Sequence, residues 1–108
     1  VLRLFEGRDY RVPDISYPEM LLARLAAVEG QHEAALERLD RAIAAYAERD
    51  IFCRSRLRLE RVRLLSRLDP EAAAAEAEEL RELGESIGAR PLASRAQALL
   101  ERLPRALR

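Results

Sequence analysis

The sequence predicts an all-α fold of about five helices arranged as stacked antiparallel hairpins, and three observations carry that prediction. Apolar residues recur at helical spacing in almost every segment between turn signals, the periodicity that separates an amphipathic helix from a half-buried strand. Strong start and stop signals leave only short connections, which make neighbouring helices antiparallel. The third observation lies between Asp50 and Leu68. Wound at ~100° per residue, this segment places Cys53, Leu57, Leu64 and Leu68 on one apolar flank and Ile51, Phe52, Leu59 and Val62 on another. A surface helix carries one apolar stripe, so two flanks describe a helix lying between others.

The elements follow in order. Val1–Asp9 can be read as an edge strand, but Phe5–Tyr10 (FEGRDY) resembles Tyr46–Ile51 (YAERDI), so residues 1–15 are expected to hold the end of a preceding helix or an irregular lead-in. Ser16 with Glu19 forms a candidate capping box, with Pro18 in the first turn. The first helix then runs to about Glu29 and stops at Gly30, a residue that takes left-handed backbone angles cheaply. A second, from about Gln31 to Glu48, repeats Ala35, Leu36, Leu39, Ala42, Ile43 and Tyr46. Asp50 is expected to cap the third helix. Asp69-Pro70-Glu71 starts a fourth, running to about Ile87 despite Gly84, and Gly88 closes it. Pro91 opens a fifth, with Leu92, Ala96, Leu99, Leu100 and Leu103 inward, and residues 104–108 are expected to fray. Helix starts near Pro18, Ile51 and Pro91 are 33 and 40 residues apart, the period of stacked helical hairpins.

Composition bounds the function. The 108 residues suit one domain, 49% of them hydrophobic and only 5% aromatic, so the core must be aliphatic. Formal charge is zero on 35% charged residues, which argues against a nucleic-acid coat and leaves targeting to local patches. Every basic side chain is arginine, consistent with codon bias in a GC-rich genome. A single cysteine, Cys53, forbids an internal disulfide and suits a reducing, cytoplasmic compartment. Apolar runs are too short for a membrane span.

From Ser16 to Leu103 the chain resembles the tetratricopeptide repeats. Leu22-Ala23, Gly30, Ala35, Leu39 and Ala42 match the family's small and large positions in a first repeat, while Glu19 and Ala26 replace its aromatic residues. Leu64, Ala73, Ala77 and Leu80 match a second repeat, with Glu60-Arg61 standing where Leu-Gly is usual. The pattern is closest to the degenerate repeats of bacterial signalling proteins and of transcription activators of the maltose-activator kind. The resemblance implies a non-enzymatic scaffold whose groove, lined by the first helix of each hairpin, receives a protein or peptide. Carried onto this chain, the groove residues are Tyr17, Met20, Arg24 and Ala27, then Ser55, Arg58, Val62 and Leu65, with Arg54 and Arg61 sharing the Arg58 stripe.

Met20, Arg24, Arg54, Arg58 and Arg61 are therefore the expected partner-binding set, and guanidinium forks suit an acidic partner. The competing expectation is internal pairing, because the third helix carries six arginines and one acid while Asp69–Glu85 carries seven acids and one arginine. One neighbour can cover only one of the two arginine stripes. Arg56, Arg63 and Arg67 are expected to be the paired one. DNA reading by the first two helices is disfavoured, since Glu33 and Glu37 would face phosphate. His32 has no second histidine or cysteine at ligand spacing and is expected on the surface; Cys53 lacks a base and is expected to act as a small buried hydrophobe. No catalytic, cofactor or metal constellation emerges. The alternative function is self-association through apolar surface at Val1–Phe5 and the fifth helix.

Overall fold

The computed structural model describes residues 15–46 and 50–108, and the helices within them are α1 (Ser16–Val28), α2 (His32–Ala45), α3 (Ile51–Leu68), α4 (Pro70–Ser86) and α5 (Arg90–Glu101). All regular structure among these residues is helical. The expected helix end at residues 1–14, and the Val1–Phe5 surface with it, lies outside the described residues.

Two of the three hairpin turns are the same device. After α1 the Gln31 amide donates to the Ala26 carbonyl and the Gly30 amide to Ala27; after α4 the Ala89 amide donates to Gly84 and the Gly88 amide to Glu85. Both are Schellman turns, which need a left-handed residue after the cap. Gly30 and Gly88, at φ 84° and 74°, supply it. α3 and α4 are joined through Asp69 alone, whose carboxylate accepts from the Ala72 amide as the Asp-Pro start predicts.

Two expected caps behave differently: Asp50 stands at the N-cap position of α3 but makes no side-chain capping bond, and Ser16 is not a cap at all. Ser16 is the first residue of α1 and fully buried, and the expected capping box is absent. Its hydroxyl accepts from Arg56 at 2.9 Å, while Glu19 turns to Arg38 on α2. The amide of Ser16, which the capping box would have satisfied through Glu19, donates to the hydroxyl of Tyr46 at 2.9 Å, and the amide of Ile15 donates to the same hydroxyl at 2.7 Å. A tertiary partner has replaced a local one. α2 ends at Ala45 where it was expected to reach Glu48, and Tyr46, itself extended, is buried.

The helices form two layers. α3 packs against α1 and α2 on one side and against α4 and α5 on the other, whereas α2 and α4 do not pack substantially on each other. α1, α3 and α5 are thus one layer, and α2 and α4 the other. The short dimension of 16 Å is that of two helices stacked at the usual ~8–10 Å separation. α3 divides the core accordingly: Leu57 and Leu64 join Ala23, Ala35, Leu39, Ala42 and Tyr46, while Val62 and Leu65 join Ala73, Ala77, Leu80, Leu92, Ala96 and Leu100. Leu39, Leu57 and Leu80 have no exposed surface.

Gly84 explains how α4 and α5 come so close. A Cβ there would lie 2.6 Å from the Ala93 amide nitrogen and 3.0 Å from the Ala89 carbonyl oxygen, so only glycine fits. Past α5 the chain does not fray as expected. Arg105–Leu107 form a 3-10 turn, and Leu107 packs with buried Leu103 on the second core.

Candidate functional site: the arginine edges of α3

α3 carries arginine along both edges because its two apolar flanks leave only two gaps on the helical wheel. The edge holding Arg54, Arg58 and Arg61 faces the gap between α2 and α4, where every one of them is engaged. Arg58 Nε donates to Glu76 at 2.9 Å. Arg61 reaches Glu76 at 2.5 Å and Asp40 of α2 at 2.8 Å, tying together two helices that barely touch. Burial opposes the charge on Arg61, but the hydrogen bonds it donates to Glu76 and Asp40 outweigh that and hold its pKa above the ordinary value. Arg54 donates to the carbonyls of Ile43 and Tyr46 at 3.2 and 3.1 Å, meeting acceptors left over at the negative end of α2.

The assignment of the edges from sequence is therefore reversed. Arg54, Arg58 and Arg61, expected to edge an open groove, face the carboxylates and carbonyls of the other layer. Ser55, Val62 and Leu65, expected to line that groove, are buried. Met20 is half-buried against the first core. Arg24 is the expected site residue with the most exposed side chain, at 44%, and even it forks onto buried Glu60 at 2.7 and 3.3 Å. That hydrogen bond raises the pKa of Arg24.

The edge facing outward holds Phe52, Arg56, Leu59, Arg63 and Arg67. Arg56 lies over the Tyr17 ring at 5.7 Å, a cation–π geometry, while holding the Ser16 hydroxyl. Arg63 comes no nearer than 4.0 Å to Glu60, and among the described residues Arg67 and Arg95 form no ion pair. A hollow lies on each side of this ridge. Towards α5, one of about 450 Å³ is lined by Phe52, Leu59, Ile87, Pro91, Leu92 and Arg95 among others, with Phe52 72% exposed. Towards α1, one of about 220 Å³ has Ala23, Ala27, Leu39 and Leu64 as its apolar wall. His32, expected to be solvated, is half-buried beside this second hollow, and its Nδ1 has no hydrogen-bond partner. Cys53 is half-buried against the first core.

Beyond α3 the charges sort by layer. α1, α3 and α5 contain nine arginines and three carboxylates; α2 and α4 contain nine carboxylates and three arginines. The neutral chain is a polarised slab. Among the described residues no group of three potential metal ligands comes together, and no helix is long and apolar enough to cross a membrane. Comparison of the chain with family models, curated proteins and solved structures finds no match.

Proposed function

We propose that this chain is a non-enzymatic interaction module of the tetratricopeptide-like kind, part of a bacterial cytoplasmic signalling or transcription-regulatory protein, and that it receives an acidic partner segment on the face formed by α1, α3 and α5. The observation that carries the reading is the sorting of charge by layer, which among the described residues leaves Arg67 and Arg95 on that face without an ion pair and Arg63 with only a 4.0 Å contact to Glu60. Such guanidinium groups hold carboxylates in bidentate fashion. The hollow beside Phe52 and Leu59 offers an apolar side chain somewhere to bury. Nucleic acid is the less suited polyanion, because the opposite face is strongly acidic and the chain carries no net positive charge to attract it.

Fluorescence anisotropy with acidic peptides carrying a central Leu or Phe, beside matched peptides with lysine in place of the acids, tests this. Acidic peptides alone should bind, more weakly as salt rises. The triple variant R63E/R67E/R95E should abolish that binding with helicity intact; retained binding would remove the face from consideration.

A second reading, self-association, draws on α1. Leu21, Leu22, Leu25 and Val28 are all exposed on α1. α5, whose apolar surface was expected to contribute, gives this reading no support, because its exposed residues are mostly polar and its leucines are buried as expected. Sedimentation over a wide concentration range decides. A strict monomer at high concentration excludes the reading, and a dimer dispersed by L21E/L25E upholds it.

A further inference from the structure

The hollow between α1 and the C-terminal half of α3 has a shape and lining of its own, distinct from the Phe52 groove. Its floor is Leu39 of α2 and Leu64 of α3, both buried, and its α1 wall is Ala23 and Ala27, whose small side chains create the space. Three guanidinium groups stand at its edge, Arg24, Arg63 and Arg67, against one carboxylate, Glu60, which Arg24 already engages through both oxygens. Arg63 and Arg67 are left over an apolar floor with no carboxylate closer than 4.0 Å among the described residues. An apolar cleft with a few converging charged groups is the usual form of a small-molecule site.

We propose that this hollow binds a small amphipathic anion, an oxyanion on a short unbranched apolar stem, with the stem against Ala23, Ala27, Leu39 and Leu64 and the oxyanion held by Arg63 and Arg67. A volume of about 220 Å³ holds roughly seven non-hydrogen atoms if each takes about the ~30 Å³ share of a liquid water molecule. With the oxyanion at the arginine rim outside that volume, a stem of about five carbons fits within it. Carboxylate and phosphate both match a guanidinium fork, so the shared chemistry is the oxyanion, and hexanoate and pentyl phosphate are the probes for its two sources. This inference does not rest on peptide binding, since it concerns a different hollow and a different ligand.

The test is a titration of the whole chain followed by two-dimensional amide and methyl NMR. Either probe should shift the methyl signals of Ala23, Ala27, Leu39 and Leu64 saturably while those of Leu59 and Leu92 stay still, and the tighter probe identifies the headgroup. R63E/R67E, both exposed and tolerable to the fold, should weaken binding by about tenfold or more, the scale of losing a charge-assisted hydrogen bond. Ala27→Leu, which fills the space while keeping every charge, should abolish it with no loss of helicity. Hexanol binding as well as hexanoate would overturn the role of the arginines. Acetate or inorganic phosphate binding as well would overturn the role of the stem, and absence of any saturable shift would overturn the site.

Discussion

The two edges of α3 have the same chemistry in sequence and opposite employment in the fold. Arg54, Arg58 and Arg61 reach into the gap between α2 and α4, where Glu76, Asp40 and the end of α2 take up their donors. Arg63 and Arg67 stand on the open face, where the nearest carboxylate is already committed to Arg24. An arginine stripe therefore has no fixed meaning. Its role is set by the charge of whatever the fold lays beside it, and here the acidic helices both lie on one side.

Stability measurements should separate the edges sharply. The largest loss is expected for Glu76→Ala, which removes the carboxylate shared by Arg58 and Arg61 and leaves them only Glu79 at 3.8 Å and Asp40 at 2.8 Å; about 2–3 kcal/mol in urea unfolding is the scale for breaking such a pair, reduced for partial exposure. A loss no greater than that of an outward arginine would break the comparison. Glu60→Ala, at the border between the edges, should cost about 1–2 kcal/mol, since buried Glu60 accepts both bonds from a more exposed Arg24. Arg54→Ala should cost about 1 kcal/mol, the worth of a cation at a helix C-terminus with its carbonyl bonds. Arg63→Ala and Arg67→Ala should stay within ~0.5 kcal/mol, as surface substitutions do.

The smallest effect concerns acid. The hydrogen bond from Arg81 holds the exposed Glu78 carboxyl below its ordinary value. A depressed pKa contributes stability that is present above the unfolded value, about pH 4.3, and is lost as pH falls through the folded value. Glu78→Gln should leave the neutral-pH melting temperature nearly unchanged and slightly flatten the fall in acid, read by thermal melts from pH 7 down to pH 3.

Much of the scaffold could be read from sequence because its signals are local. Gly30 and Gly88 end helices through turns only a glycine-like residue enters easily, and Asp69-Pro70 starts one through a bond three residues long. The double burial of α3 was also legible, since two apolar flanks admit few explanations. What stayed hidden depended on neighbours far along the chain. Ser16 looked like a cap until Tyr46, thirty residues on, supplied the hydroxyl instead. A helical wheel gives the angle between the two arginine edges but not which angle points at Glu76. His32 lost its solvent to the wall of a hollow that α1, α2 and α3 make jointly, and only the meeting of three helices reveals it. The one available signal was the pair of small residues Ala23 and Ala27, a turn apart on α1.

The bare leucines on the outer side of α1 and the polar outer side of α5 make the slab unequal lengthwise, adhesive at one extremity and sealed at the other. Growth by repeated head-to-tail addition needs two complementary ends, and among the described residues α5 offers no match to the α1 leucines. A contact between two copies through those leucines would join like to like about a twofold axis and close at a pair.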